Sequence, residues 1–326
     1  MTTPLLEIQD LRVAFHHRGR AIDAVRGVTL QLNRGEILGI VGETGSGKTL
    51  TGLAMLQLVP SPGVVTASKL TFDGIDLLDL NRAGMAALRG KRISMIFQDP
   101  ATSLNPVYTI GTQIDAVLSV HTDLDRNARR EEALARLVEV GLPDPQRVFD
   151  TYPHQLSGGM QQRVMIALAL AGDPEVLVAD EPTTALDVTI QAQILTLLDR
   201  LRRQRGLAII LISHNLGVVS QTCDRVALMY AGSLVEEGKT DEVLQTPAHP
   251  YARALIASMV RSGHRKEPLK VLSGSGPAPG TIPTGCAFAP RCVMRVDRCL
   301  TDTPELIQFG ERSVACLRAH EELVHD

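Results

Sequence analysis

Short apolar runs recur along this chain at a length that suits a strand. Glu36-Ile37-Leu38-Gly39-Ile40-Val41, Ile93 to Phe97, Val176 to Ala179 and Leu207 to Ile212 are of this kind, and they predict buried strands. Between them lie stretches with a helical pattern. Lys48 to about Leu58, Gly158 to Ala171 and Thr189 to Arg203 predict helices. Thr109 to Arg147, rich in Arg, Glu and Ala and poor in strand formers, reads as helical throughout. Strands alternating with helices predict an α/β domain with a largely parallel core sheet. Leu5 to Phe15 and Ala21 to Leu32 predict two strands around the polar turn His16-His17-Arg18-Gly19. Lys69 to Phe72 predicts another strand, ending at the turn Asp73-Gly74. Val226 to Tyr230 and Ser233 to Glu236 predict a hairpin turning at Ala231-Gly232. The helical stretch over about 100–165 interrupts the alternation and reads as an inserted subdomain. After Ser262 the character changes to Gly, Pro and Ser, and four cysteines follow. The expected division is therefore 1–261 for the main domain and 262–326 for a Cys-rich C-terminal extension. No internal repeat or low-complexity tract is visible.

Composition narrows the partners. At 326 residues the chain exceeds one typical domain. Its net charge of −3, from 33 basic and 36 acidic residues, gives no sign of a nucleic-acid-binding surface. Aromatics at 3% leave little for stacking on bases, so no nucleic-acid partner is expected. Met1 to Phe15 lacks a basic segment followed by an apolar core, which predicts no signal peptide. No apolar stretch reaches the length of a membrane span. The expectation is a cytoplasmic protein that meets a membrane only through a partner.

Against this frame, Gly42-Glu43-Thr44-Gly45-Ser46-Gly47-Lys48-Thr49 stands between a predicted strand and a predicted helix. That is the G-x-x-x-x-G-K-[ST] pattern in the context it requires. Gly42, Gly45 and Gly47 let backbone N–H groups point into one concavity, and the helix start adds partial positive charge. Lys48 would reach the β- and γ-phosphates, and the Thr49 hydroxyl would hold Mg²⁺. Asp180 and Glu181 end the apolar run Val176 to Ala179, which places two carboxylates at a strand end. Asp180 suits the magnesium side, and Glu181 suits a general base facing water. A third signal is Leu156-Ser157-Gly158-Gly159-Met160. Ser157 is either a plain helix cap or, with Gly158 and Gly159, part of a second anion site. Two phosphate-binding elements in one chain fit two chains meeting head-to-tail, each closing the other's site.

These motifs together resemble the nucleotide-binding subunit of an ABC transporter. Gly42 to Thr49 resembles the Walker A loop, Gln98 the Q-loop, Leu156 to Met160 the signature motif and Val176 to Asp180 Walker B. Glu181 matches the catalytic-glutamate position, Ala185-Leu186-Asp187 the D-loop and His214 the switch histidine. The motifs occur in the family's order, and the likeness covers roughly 5–260. Met160 stands where most relatives have Gln, Asn215 where Asp is common, and Thr44 where Ser is usual. None of these removes an essential hydroxyl, lysine or carboxylate.

The resemblance implies a P-loop NTPase cassette: a RecA-like core, an antiparallel β subdomain and an inserted helical subdomain. It implies that ATP and Mg²⁺ bind at Gly42, Thr44, Gly45, Ser46, Gly47, Lys48, Thr49, Gln98 and Asp180. Ser157, Gly158, Gly159 and Asp187 would act from the facing subunit; Asp187 reads equally as a helix cap. His214 would touch the γ-phosphate and orient Glu181 and the water, and Gln98 would contact Mg²⁺ or the water. Phe15 is either the adenine-stacking aromatic or a core residue.

The subfamily marks are Phe97-Gln98-Asp99-Pro100, Ser103-Leu104-Asn105-Pro106, Tyr152-Pro153-His154-Gln155-Leu156, Met229-Tyr230-Ala231-Gly232 and His249-Pro250-Tyr251. With the cysteine segment they resemble the dipeptide/oligopeptide/nickel importer branch. That implies a second ATPase subunit, two membrane permeases and an extracytoplasmic binding protein. The chain would then be an ATPase at the cytoplasmic face of the plasma membrane that powers peptide uptake, with nickel or another small solute as the alternative cargo.

Cys286, Cys292, Cys299 and Cys316 follow the spacing C-x5-C-x6-C-x16-C, while Cys223 stands apart and reads as a small buried residue. Clustered thiols in a cytosolic protein point to metal. Zinc is one expectation and a 4Fe–4S cluster, which the resemblance implies for some members, is the other; no metal is the third. The role would be structural, standing in for a core in a short Pro-rich tail.

Overall fold

The structure is a computed structural model that describes residues 3–17, 19–184, 186–258, 274–278 and 280–319. It divides into two compact units. Unit one is residues 1–32, 37–78 and 212–326; unit two is residues 33–36 and 79–211.

The chain enters unit one through β1 (Leu6–His17), β2 (Arg20–Leu32) and β3 (Ile37–Val41). Helix α1 (Lys48–Met55) follows, then β4 (Gly63–Thr66), β5 (Lys69–Phe72) and β6 (Ile75–Asp76). β1 is the hub of an antiparallel sheet in the order β2-β1-β5-β6, with β4 also on β1. The apolar positions Leu6, Ile8, Leu11 and Val13 are all buried. Their spacing breaks strict alternation, and the register shifts between Ile8 and Leu11, with Asp10 at φ 50°. The extra residue of this bulge returns Leu11 and Val13 to the inner face.

Unit two opens with α2 (Arg82–Leu88), β7 (Ile93–Ile96) and α3 (Pro100–Ser103). The stretch expected to be helical resolves into α4 (Ile110–His121), α5 (Arg126–Glu139) and α6 (Pro145–Phe149). The breaks fall where capping side chains restart the helix. Thr109 accepts from Thr112 N, Asp125 from Asn127 N and Ala128 N, and Asp144 from Arg147 N. Ile110, Ile114 and Leu118 of α4 and Ala133 and Leu137 of α5 are fully buried. Then come α7 (Gly158–Leu170), β8 (Val176–Asp180) and α8 (Val188–Arg205). β7 and β8 are parallel and buried along their whole lengths, as their unbroken apolar runs require.

β9 (Ala208–Ser213) carries the chain back to unit one. There α9 (Leu216–Thr222), β10 (Arg225–Tyr230), β11 (Ser233–Lys239), α10 (Thr240–Gln245) and α11 (Pro250–Ala257) follow, with β12 (Ile307–Phe309) and β13 (Arg312–Val314) near the end. β3 pairs in parallel with β10, and β10 with β11 antiparallel through a turn at Ala231 and Gly232, both at positive φ. β13 adds to β11, and β12 to β13. Val314, Cys316 and Ala319 bury against Ala248. The C-terminal segment is thus built into unit one by strand pairing and apolar contact. Among the described residues, no helix is long and apolar enough to cross a membrane.

Candidate functional site

In unit one the loop Gly42–Gly47 connects β3 to α1 and lies on the β10–β11 turn. A Cβ on Gly42 would stand 2.2 Å from the Met229 carbonyl oxygen, so only glycine fits. Gly45 and Gly47 adopt φ of 82° and 99°. Gly232 N donates to Ser46 O at 3.0 Å, and Arg26 N donates to Gly232 O at 2.7 Å, which ties loop, turn and β2 together. α1 has no side-chain cap. Its first N–H groups are the donors that an anion would satisfy. The Ser46 hydroxyl is buried and finds no partner among the described residues. Lys48, 5% exposed, donates to the carbonyls of Gly42 (2.9 Å) and Glu43 (3.0 Å). Thr44, Gly45 and Thr49 are exposed. The loop therefore offers a lysine, an unsatisfied hydroxyl and an uncapped helix start, the donor set a polyphosphate needs.

Phe15 is half-buried on β1, opposite Ile22 and Gly63, and its ring lies over Gly63. His214 is exposed at the end of β9. Asn215 caps α9, its side chain accepting from Gly217 N at 2.9 Å, a task Asn and Asp perform alike.

In unit two the parallel strands β7 and β8 bring Gln98 and Glu181 together. Gln98 Nε2 donates to Glu181 Oε2 at 3.1 Å, and Thr184 Oγ1 donates to the same oxygen at 2.8 Å. Glu181 has φ of 46°, a left-handed conformation rare for this residue type. Such strain persists where neighbours fix the side chain. Asp180, one residue earlier, is 2% exposed. Ser157 caps α7, accepting from Met160 N at 3.4 Å, and Asp187 caps α8, accepting from Ile190 N at 2.9 Å. Ser157, Gly158, Gly159, Arg163, Asp187 and Ile190 line an open groove of about 400 Å³. Ala185 of the expected D-loop lies outside the described residues.

The cysteine expectations need correction. Cys223 is buried, as read from sequence, and burial pushes its thiol up. Cys286, Cys292, Cys299 and Cys316 do converge, together with His249, on one cavity. Its volume is about 10 Å³, the room of a single water and too little for a 4Fe–4S cluster. Among the described residues, no group of three or more His, Cys, Asp or Glu side chains is placed to hold a metal ion, so zinc is not supported either. Burial also pushes the thiols of Cys286, Cys292 and Cys316 up. The described residues do not form a metal-held C-terminal extension.

What holds the segment is an aromatic nest that sequence reasoning missed. Phe288 meets Tyr230 and Tyr251 edge-on, with centroids at 5.3 and 5.5 Å. Tyr251 OH accepts from Glu43 N at 3.1 Å. His249 caps α11, its Nδ1 accepting from Tyr251 N at 3.0 Å. Burial holds its imidazole down to about 3 despite a hydrogen bond to the Ala315 backbone. Nothing in the sequence placed this segment near Lys48. Yet Arg291, beside Cys292, pairs with Glu43 of the phosphate-binding loop, whose carbonyl takes Lys48. The sequence signals for the nest were Met229-Tyr230-Ala231-Gly232 and His249-Pro250-Tyr251, which mark a subfamily without naming a contact.

Comparisons with known proteins agree with this architecture. The family described as ABC transporter matches residues 25–184, and that described as oligopeptide/dipeptide transporter, C-terminal region, matches 235–299. The chain is 46% identical over 312 residues to the dipeptide transport ATP-binding protein DppD of Haemophilus influenzae, covering 96% of this chain and 94% of that one. It is 43% identical over 320 residues to the oligopeptide transport ATP-binding protein AppD of Bacillus subtilis, covering 98% of each. Among solved structures it resembles the dimeric post-hydrolysis state of the ATP-binding cassette MJ0796 bound to ADP and Pi. The TM-score is 0.63 at 29% identity, over 72% of this chain and 98% of that one.

Proposed function

This chain belongs to the ABC transporter family, and from that membership we propose that it is the ATP-binding and ATP-hydrolysing subunit of an importer that takes up dipeptides or oligopeptides. The observation that carries the reading is the extent of the likeness. Relatives named for dipeptide and oligopeptide transport match nearly end to end, through the C-terminal region as well as the cassette. That favours peptide over nickel as cargo.

In this reading ATP's phosphates take the donors of the loop Gly42–Thr49, with Gly42, Thr44, Gly45, Ser46 and Gly47 supplying the concavity. Lys48 leaves the carbonyls of Gly42 and Glu43 and turns to the β- and γ-phosphates. Thr49, Asp180 and Gln98 would hold Mg²⁺, which when bound neutralises charge on the phosphates. Glu181 accepts the proton of the attacking water, its carboxylate aimed by Gln98 and Thr184. His214 orients that water, and Phe15 is the aromatic available to adenine.

The groove at Ser157, Gly158, Gly159 and Asp187 would serve the site of a second ATPase subunit. Residues 1–261 form the nucleotide-binding domain, and the helices over 100–165 dock on two permeases at the cytoplasmic face of the membrane. An extracytoplasmic binding protein supplies the solute. The test of the catalytic part is Glu181→Gln, whose amide cannot take a proton. In the assembled transporter ATP should still bind while turnover falls about 10²–10⁴-fold. Near-normal turnover would refute the role.

A further inference from the structure

The phosphate-binding loop carries a carboxylate. Glu43 follows Gly42, and uncompensated negative charge there opposes a polyanion. The structure compensates it from 248 residues away. Arg291 donates to both carboxylate oxygens, Nη1 to Oε2 at 2.8 Å and Nη2 to Oε1 at 2.9 Å. Its Nη1 also lies 3.3 Å from the Tyr230 hydroxyl. The Arg291 side chain is only 8% exposed, and its guanidinium carbon lies 5.7 and 5.9 Å from the ring centroids of Tyr230 and Phe288. A two-pronged pair so sheltered is weakly screened. The rest of Glu43 is held as well: its N–H by Tyr251 OH, its carbonyl by Lys48 Nζ. The residue on which the phosphate lysine rests is thus clamped by the C-terminal segment.

We propose that Arg291 is a positioning residue through which the C-terminal segment sets the affinity for ATP, by cancelling the charge of Glu43 on the loop from which Lys48 reaches the phosphates. The inference rests on the reading of this loop as the ATP site. Residues 286–299, which line the cysteine cavity together with His249 and Cys316, then sit one link from the nucleotide. Whatever loosens that segment lowers ATP affinity without touching Glu181.

The test uses the purified full chain with Mg²⁺ and a fluorescent ATP analogue. Saturable binding by the wild type, lost in Lys48→Ala, tests the nucleotide site itself. Arg291 is tested by three further variants. Arg291→Met should raise Kd about tenfold, within the usual range for coupling between sites. Adding Glu43→Gln to Arg291→Met should restore most of the affinity, because the charge that opposed the phosphates is gone. Glu43→Gln alone should bind at least as tightly as the wild type. A purely structural tie predicts otherwise, since breaking it from either side would do equal harm. An unchanged Kd for Arg291→Met, a double variant as weak as the single, or a Glu43→Gln as weak as Arg291→Met would each overturn the proposal.

Discussion

Replacing His249 should change how the stability of this protein depends on pH. His249 is 1% exposed, accepts from Tyr251 N and bonds the Ala315 backbone, so it is neutral in the folded chain. Its folded value is held to about 3, against 6.5 for the ordinary side chain. As pH falls below 6.5 the unfolded chain takes up a proton that the folded chain refuses. The contribution is complete above 6.5 and is lost progressively between 6.5 and about 3. At pH 5 the deficit is about 1.5 pH units at 1.4 kcal/mol each, or roughly 2 kcal/mol relative to pH 8.

Neighbours act on the same window. Burial raises Glu236, which receives Ala248 N and His249 N, so its contribution has the opposite sign: the folded state gains as pH falls toward 4.5. The positive charge of Arg253 disfavours a charged His249. The clean quantity is therefore a difference between variants. His249→Asn keeps an acceptor for Tyr251 N but cannot titrate. Urea denaturation of both proteins at pH 8 and pH 5 is the assay. The wild type should lose about 2 kcal/mol more than the variant over that interval. Equal losses would refute a buried neutral imidazole.

Three further outcomes follow from the site. Gly42→Ala should cost about 1–3 kcal/mol of stability and abolish nucleotide binding, because its Cβ would sit 2.2 Å from the Met229 carbonyl; a melting curve and ATP titration like those of the wild type would contradict this packing. Cysteines placed near Ser46 and Ser157 should cross-link between facing subunits with ATP and fail to do so with ADP, and cross-links confined to one chain would end the head-to-tail reading. The isolated chain should hydrolyse ATP weakly and be stimulated by permeases with loaded binding protein, whereas full turnover alone would indicate a free-standing ATPase.

Much of the fold was legible because its signals are local. The strands Ile37–Val41 and Val176–Asp180 are continuous apolar runs, and the glycine loop and the capping Ser157 and Asp187 declare themselves within a few residues. The breaks between α4, α5 and α6 were also written in Asp125 and Asp144, although composition alone blurred them into one helical stretch. Strands such as Gly63–Thr66 and Arg312–Val314 were not legible. They are short, and their pairing with β1 and β11 is set by tertiary contact. The same reason hid Arg291. Nothing in its neighbourhood announces Glu43, because the two meet only when α11 and the β10–β11 turn bring Tyr251 and Tyr230 to the loop. Cysteine spacing told which thiols share a segment; it could not tell how much room they leave between them.

The most direct test of the account is coupled transport. The chain would be reconstituted in vesicles with its permeases, partner ATPase and binding protein, and uptake of a labelled dipeptide or oligopeptide measured alongside phosphate release. The account predicts peptide accumulation that requires ATP, with peptide-loaded binding protein stimulating phosphate release, and both lost in Glu181→Gln. Peptide uptake that persists in that variant, or ATP hydrolysis indifferent to peptide, would contradict it.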